Sequence, residues 1–352
     1  MRILMLSSGD RVPSSRFRMH PFAAHFRAAG HECVVAASYP QKYDYFPKIG
    51  FRPSQFLKRS VRYAHWLGSR WRHDDVVIVD REVFDDPGLR FEERFRATTP
   101  RFVLDLDDGV FLRYPAKFDR LAEMSDLIVC GNSFIQEWAE ARHRPTLVMP
   151  TCVEMAQYPA AALSGAAASP PRIGWMGTTG NIRYLQVVAG ALRRLAAERE
   201  FELRVIVPEA GPLREVDLSG VRVEHVPWDA RREVEQLSEI DIGLMPLFAD
   251  NEWDKYKCGL KLIQYMAIGI AAVASPVGVN ATIVDSGRNG FLAAGDEEWE
   301  TALGALLTDA ALRRAVGVAG RESVRQSYSV EANFPRYEAA LRGLWSPAAR
   351  QD

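Results

Sequence analysis

The sequence predicts two doubly wound α/β domains of the Rossmann-like kind, each built on a parallel sheet. Three observations carry this. Short apolar runs of strand length alternate with stretches of helical spacing from Arg2 onward. Small-residue loops, Ser7-Ser-Gly-Asp10 and Gly177-Thr-Thr-Gly-Asn181, stand between an apolar run and a helical stretch in each half. Between the halves, Tyr158-Pro-Ala-Ala-Ala-Leu-Ser-Gly-Ala-Ala-Ala-Ser-Pro-Pro171 has the composition of a linker. A chain of 352 residues is long enough for about two domains, each with its own core. The expected division is residues 1–158, a linker 159–171, residues 172–328, and a closing helix in 329–352 that can return to the first domain.

In order, Arg2 to Leu6 is a strand, Ser7 to Asp10 a turn, and Arg16 to Ala29 a helix with Ser14 or Ser15 as N-cap and Gly30 as stop. His31 to Ala37 is the next strand, so Gly9 to Arg18 borders the first cleft. Arg16 and Arg18 are candidate acceptor ligands there, with solvent-facing arginines an equal reading. Asp75 to Asp80, Arg101 to Leu106, Asp126 to Cys130 and Thr146 to Met149 follow as buried strands. Asp105, Asp107 and Asp108 end one of them. Asp107 or Asp108 can meet a sugar hydroxyl or an acceptor, while helix capping and salt bridging explain them equally simply.

The second half repeats the pattern. Arg172 to Met176 is a strand, Gly177 to Asn181 a nest of amides of phosphate size, Ile182 to Glu198 a helix and Phe201 to Val207 a strand. Val221 to Val226 leads to Trp228, which can stack on a nucleobase or fill a core, and Asp229 is the expected N-cap of a helix Ala230 to Ser238. Ile240 to Met245 ends at Pro246, and Trp299 to Leu307, Leu312 to Tyr328 and Asn333 to Trp345 are closing helices.

Bulk properties exclude several classes. The net charge of −1 gives no global field toward nucleic acid, no apolar run reaches the roughly 18 residues of a membrane span, and Arg2 to Gly9 is too short for a signal peptide. A cytoplasmic protein is expected. Cys33, Cys130, Cys152 and Cys258 are scattered without disulfide or zinc spacing, so neither is expected. Residues 39–73 stand apart: Lys42, Lys48, Arg52, Lys58, Arg59, Arg62, Arg70 and Arg72 are interleaved with Tyr43, Tyr45, Phe46, Phe51, Phe56, Tyr63, Trp66 and Trp71 and a single acid, Asp44. Such a segment either lies on an anionic membrane surface, making the protein peripheral at its inner face, or covers the sheet with its aromatics inward.

The stretch from Asp254 to Gly278 is where the chemistry is expected. Leu262, Ile263, Met266 and Ala267 recur at helical spacing, Gly269 stops the pattern, and Ile270 to Ala274 reads as a buried strand. Lys257 and Lys261 then stand four residues apart at a helix start, where the dipole already carries positive charge and the two ammonium groups repel by roughly 2–3 kcal/mol. A phosphate or diphosphate cradled by amides near Gly259 reverses every one of those signs. Two lysines simply pointing into water is the plainer alternative.

Arg172-Ile-Gly-Trp-Met-Gly-Thr-Thr179, Ile240-Asp-Ile-Gly-Leu-Met-Pro-Leu247, Lys257-Cys-Gly-Leu-Lys-Leu-Ile-Gln-Tyr-Met-Ala-Ile-Gly269, Val273-Ala-Ser-Pro-Val-Gly278 and Gly287-Arg-Asn-Gly-Phe-Leu292 resemble the carboxyl-terminal domain of family 4 glycosyltransferases of the GT-B type. Asp105 to Asp108 and Asp126 to Asn132 resemble the amino-terminal half of bacterial members that build surface polysaccharides. The resemblance implies a retaining transfer, without a bound metal or other cofactor, from a nucleotide diphosphate sugar held in the interdomain cleft to a carbohydrate or lipid-linked acceptor. It implies that Gly177, Thr178 and Thr179 approach the donor phosphates, that Lys257 and Lys261 neutralise the leaving diphosphate, and that Trp228 lies near the base. Asn181, Pro246, Gly259, Gln264 and Tyr265 fall in the same donor-side stretches, and Gly9 on the acceptor side. Many relatives carry two glutamates eight positions apart where this chain has Tyr256 and Gln264. Gln264 can still bond ribose hydroxyls, but the acid that would face the donor sugar is absent. An epimerase or hydrolase on the same fold, and an inactive nucleotide-sugar-binding scaffold, remain alternative readings.

Overall fold

The computed structural model describes residues 1–160 and 169–345, so most of the expected linker lies outside the described residues. The chain forms two compact units. One comprises Met1–Cys152, Tyr256–Cys258 and the chain from Asn333; the other comprises Val153–Lys255 and Gly259–Ala332.

The first unit is a six-stranded parallel sheet of β1 (Arg2–Ser7), β2 (Glu32–Ala37), β3 (Val76–Asp80), β4 (Arg101–Leu106), β5 (Leu127–Cys130) and β6 (Thr146–Val148), in the order β2-β1-β3-β4-β5-β6. Ile3 to Leu6, Val76 to Val79 and Phe102 to Leu104 are buried on both faces, which is why these strands read as continuous apolar runs. The helix Val330–Gly343 closes this unit, Tyr337 packing edge-on against Phe22 and Phe26 at 5.3 and 5.5 Å. The second unit is also six-stranded and parallel: β7 (Arg172–Met176), β8 (Glu202–Val207), β9 (Arg222–Pro227), β10 (Ile242–Met245), β11 (Ala271–Ala274) and β12 (Phe291–Leu292), in the order β12-β11-β10-β7-β8-β9.

Two local expectations are corrected. Ser14 and Ser15 do not cap a helix. Their hydroxyls donate instead to Asp80 at the end of β3, and the chain passes through a π turn, Ser15–Met19, before the helix His20–Ala28 begins. In the basic segment the helix Phe51–Arg72 turns Lys58 and Arg62 inward and most of its rings outward, so the reading with all aromatics inward fails. The long cations reach in because they find carbonyl acceptors at the carboxyl ends of the strands: Lys42 on Asp80 and Glu82, Arg62 on Ser7 and Ala36. All four cysteines are free and buried.

Candidate functional site

In the second unit the strand order reverses between β7 and β10, and open α/β sheets bind ligands beyond the carboxyl ends of strands at such a point. Those ends carry Gly177 and Pro246. Gly177 needs to be glycine, since a Cβ there would come within 2.4 Å of the Trp175 ring. Beyond it, Thr178 is exposed and precedes a 3-10 turn, Thr179–Leu185, in which the Asn181 N–H donates to the Thr178 carbonyl at 2.9 Å. This turn replaces the first turn of the helix expected from Ile182; the α-helix spans Gln186–Glu198. Pro246 is buried. Tyr265 is fully buried as well: its hydroxyl accepts the Met176 N–H at 3.1 Å, and its ring covers Gly243, where a Cβ would approach to 2.5 Å. It braces β7 against β10 from below and offers a donor no surface, so its expected direct contact becomes a positioning one.

The helix expected from Cys258 begins at Leu260 and runs to Ile268. Gly259 causes the delay. Its φ of 66° is left-handed, and a Cβ there would lie 2.6 Å from Ile283 Cδ1. Lys261 occupies the first turn, which contains no acid, with its ammonium 5.9 Å from the Trp175 ring centroid. Lys257 lies ahead of the helix, in the short stretch that clusters with the first unit. The two lysines therefore do not share a helical face, and the expected repulsion at helical i, i+4 spacing does not apply. The helix-dipole argument survives for Lys261.

Gln264 is buried and donates through Nε2 to Glu233 Oε1 at 2.8 Å and to the Tyr158 hydroxyl at 3.1 Å, while its own Oε1 has no partner among the described residues. Glu233 Oε2 in turn accepts the Trp228 indole N–H at 3.0 Å. A buried carboxylate thus stands beside Gln264. Sequence reading misses it because Asp229 looks like the helix N-cap; Asp229 instead caps a turn through the Arg231 N–H, and the helix starts at Glu233. An acid in a first helical turn reads as a dipole partner, which hides any other role.

In the first unit the order reverses between β1 and β3. There the Ser8 N–H and the Ser14 and Ser15 hydroxyls converge on Asp80 Oδ2 at 2.9, 3.0 and 3.3 Å. Gly9, at φ 131°, leaves no room for a Cβ beside Gln41, 2.6 Å away. Arg16 lies over the ring of Phe17 at 5.0 Å. Arg18 is neither solvent-facing nor an acceptor ligand. It is buried, forks onto both oxygens of Asp105 at 2.6 and 3.2 Å, and donates to the Met149 carbonyl at 2.8 Å. Burial works against its charge, but Asp105 outweighs it and holds the guanidinium above its usual range.

Asp107 and Asp108 differ. Asp107 is gripped by both Arg81 Nε and Nη2; burial opposes its charge, yet Arg81 holds the carboxyl below the usual range. Asp108 accepts only its neighbour's N–H, from Gly109 at 2.9 Å, among its described hydrogen bonds. Burial pushes its carboxyl up to about 6, with Asp107 adding to the rise and Arg81 and Lys257 opposing it. Asn132 is the positioning residue that sequence reading passes over. Its Oδ1 caps the helix Ser133–Glu140 through the Ile135 N–H at 2.9 Å, and its Nδ2 donates to the carbonyls of Tyr256 at 2.9 Å and Lys257 at 3.3 Å. One amide thereby fixes the backbone that carries Lys257. Tyr256 packs edge-on against Phe111 at 4.8 Å, and Phe111 stacks on Trp138 at 4.4 Å. Tyr256 thus sits in an aromatic cluster.

Residues 170–309 match the family model described as Glycosyl transferases group 1, which places a glycosyltransferase domain on the second unit. Among solved structures the chain is similar to a sucrose-phosphate synthase from Thermosynechococcus elongatus, at 15% identity and a TM-score of 0.71 over 98% of this chain and 99% of that one. It is also similar to a glycosyltransferase from Rickettsia africae, at 12% identity and a TM-score of 0.69 over 98% and 99%. A third is the HepE protein of Anabaena in complex with UDP and glucose, at 13% and 0.64 over 97% and 99%. Comparison with curated proteins gives no match. The fold is that of the GT-B glycosyltransferases, with two Rossmann-like domains, and the chain is a glycosyltransferase by class.

Proposed function

We propose that the protein is a retaining glycosyltransferase that needs no metal and moves a sugar from a nucleotide diphosphate sugar, with UDP or GDP as carrier, to a carbohydrate or lipid-linked acceptor in surface glycan synthesis. The observation that carries this reading is the coincidence of the group 1 match with the sheet whose reversal point presents Gly177 and Pro246. The donor diphosphate lies against the loop Gly177, Thr178 and Thr179 and the first turn of Leu260–Ile268, with Gly259 giving close approach. Lys261 and Lys257 receive the charge that builds as the glycosidic bond breaks, stabilising the transition state more than the ground state.

Trp228 borders the base. Glu233 and Gln264 together take the ribose hydroxyls: Gln264 Oε1, without a partner among the described residues, is an acceptor in want of a donor, and Glu233 holds the amide in place. Asp108 takes the acceptor hydroxyl, since Asp107 is already committed to Arg81. Asp105 and Asp107 are each spent on an arginine, which supports a lysine-and-amide anion site over a carboxylate-held cation.

Tyr256 in its aromatic cluster favours one competing reading, a nucleotide-sugar-binding scaffold. Incubation of the protein with UDP- and GDP-sugars and a panel of glycan and lipid-linked acceptors separates the two. Transfer supports the enzyme, and tight nucleotide binding without transfer or hydrolysis supports the scaffold. A peripheral position at the inner face of a membrane accompanies the enzymatic proposal, supported by the outward apolar face of the helix Phe51–Arg72.

A further inference from the structure

The helix Phe51–Arg72 is amphipathic in the inverse sense. At about 100° per residue, Ser54, Lys58, Arg62 and Ser69 fall on one face, and all four are buried. Lys58 donates to the carbonyls of Lys42 and Asp44 at 2.7 and 3.0 Å, and Arg62 to those of Ala36 and Ser7 at 2.8 and 2.6 Å. The opposite face exposes Phe56 (74%), Tyr63, Leu67 and Trp71 (82%) in a single stripe. Helices of globular domains turn such a stripe toward the core, and a contiguous exposed apolar patch marks a docking surface. Arg52, Arg59 and Arg70 flank it on one side; Arg59 also reaches Asp86 at 3.4 Å. The 22 residues contain no acid.

We propose that this face docks the protein on an anionic lipid bilayer. The helix lies in the interfacial plane, its rings at headgroup depth and its arginines on lipid phosphates. Charge decides the occupant. A second copy of the chain would set arginines against arginines, with no acid on the helix to receive them, whereas lipid phosphates supply the missing sign. The inference deepens the peripheral placement given above and does not depend on the donor chemistry.

The test is cosedimentation of the full chain with vesicles of phosphatidylcholine containing phosphatidylglycerol, and with phosphatidylcholine alone. Binding to the anionic vesicles, weakened by salt, is expected. The double variant Phe56→Ser/Trp71→Ser should lower the partition by roughly 10-fold. Arg52→Gln/Arg70→Gln should lower it by roughly 5-fold per cation removed. Val318→Ser, an exposed apolar position on another helix, should leave it unchanged. Because every substituted side chain is solvent-exposed, the melting temperature serves as the check on folding. Wild-type protein that stays in solution with anionic vesicles at low salt overturns the proposal, as does an aromatic variant that sediments like the wild type. So does a wild-type dimer that shows no vesicle binding and that the aromatic variant dissociates, which would assign the face to a second copy. Parallel UDP binding keeps the two readings apart: lost vesicle binding with UDP binding intact condemns the docking face alone.

Discussion

At the scale of single residues, several buried charges are satisfied within the fold. Arg18, Arg62, Lys58 and Lys117 are buried against carboxylates or carbonyls, so each is spent on holding the first unit together. Lys257, Lys261 and Asp108 carry the chemistry proposed here. Lys257→Ala is expected to lower turnover at saturating donor by roughly 100-fold to 1000-fold, the cost of losing one preplaced group at an anion hole; steady-state kinetics check it. Asp108, pushed up to about 6, is mostly ionised at neutral pH and takes up its proton as pH falls through that value. As the group that accepts a proton from the acceptor hydroxyl, it is needed as carboxylate, so activity should fall about tenfold per pH unit below 6. In Asp108→Asn that acid limb should vanish along with most of the rate. Glu233→Gln should weaken UDP binding while leaving binding of inorganic diphosphate unchanged, which calorimetry resolves.

At the scale of elements, glycines set where helices begin and strands end. Gly259 delays the helix Leu260–Ile268 by its left-handed turn, and Gly259→Ala should cost about 1–3 kcal/mol of stability from backbone strain and the contact with Ile283, measurable by denaturant unfolding. Most strands were legible in the sequence because parallel strands buried on both faces must be continuously apolar, as Val76 to Val79 and Ala271 to Ala274 are. Helix starts were less so. Ser14, Ser15 and Asp229 have capping chemistry, but tertiary partners or a local turn claimed them, and a sequence does not record that competition. The outward face of Phe51–Arg72 was half legible: the interleaving of rings and cations was plain, but which set faced inward depended on the carbonyls of Ser7, Ala36 and Lys42. Glu233 was illegible as a partner of Gln264 because 31 residues and the strand β10 separate them.

At the scale of the whole molecule, two parallel sheets each offer a reversal point, and they are used differently. That of the first unit is occupied by its own groups, the Ser8 N–H and the Ser14 and Ser15 hydroxyls on Asp80. That of the second carries the glycine loop and coincides with the glycosyltransferase match. The buried pair Arg18 and Asp105 ties the helical entry of the first unit to β4, so Arg18→Ala should destabilise by about 3–5 kcal/mol, leaving an unpaired buried carboxylate, without altering nucleotide affinity. The central claim, that the second unit holds a nucleoside diphosphate at its glycine loop and the tip of Leu260–Ile268, is tested most directly by thermal melting of the full chain with UDP, GDP and their sugars. One of these at about 100 times its Kd should stabilise the protein by about 2.7 kcal/mol, and Lys261→Ala should abolish most of that shift. No stabilisation by any nucleoside diphosphate, or an equal shift in the Lys261→Ala variant, would contradict it.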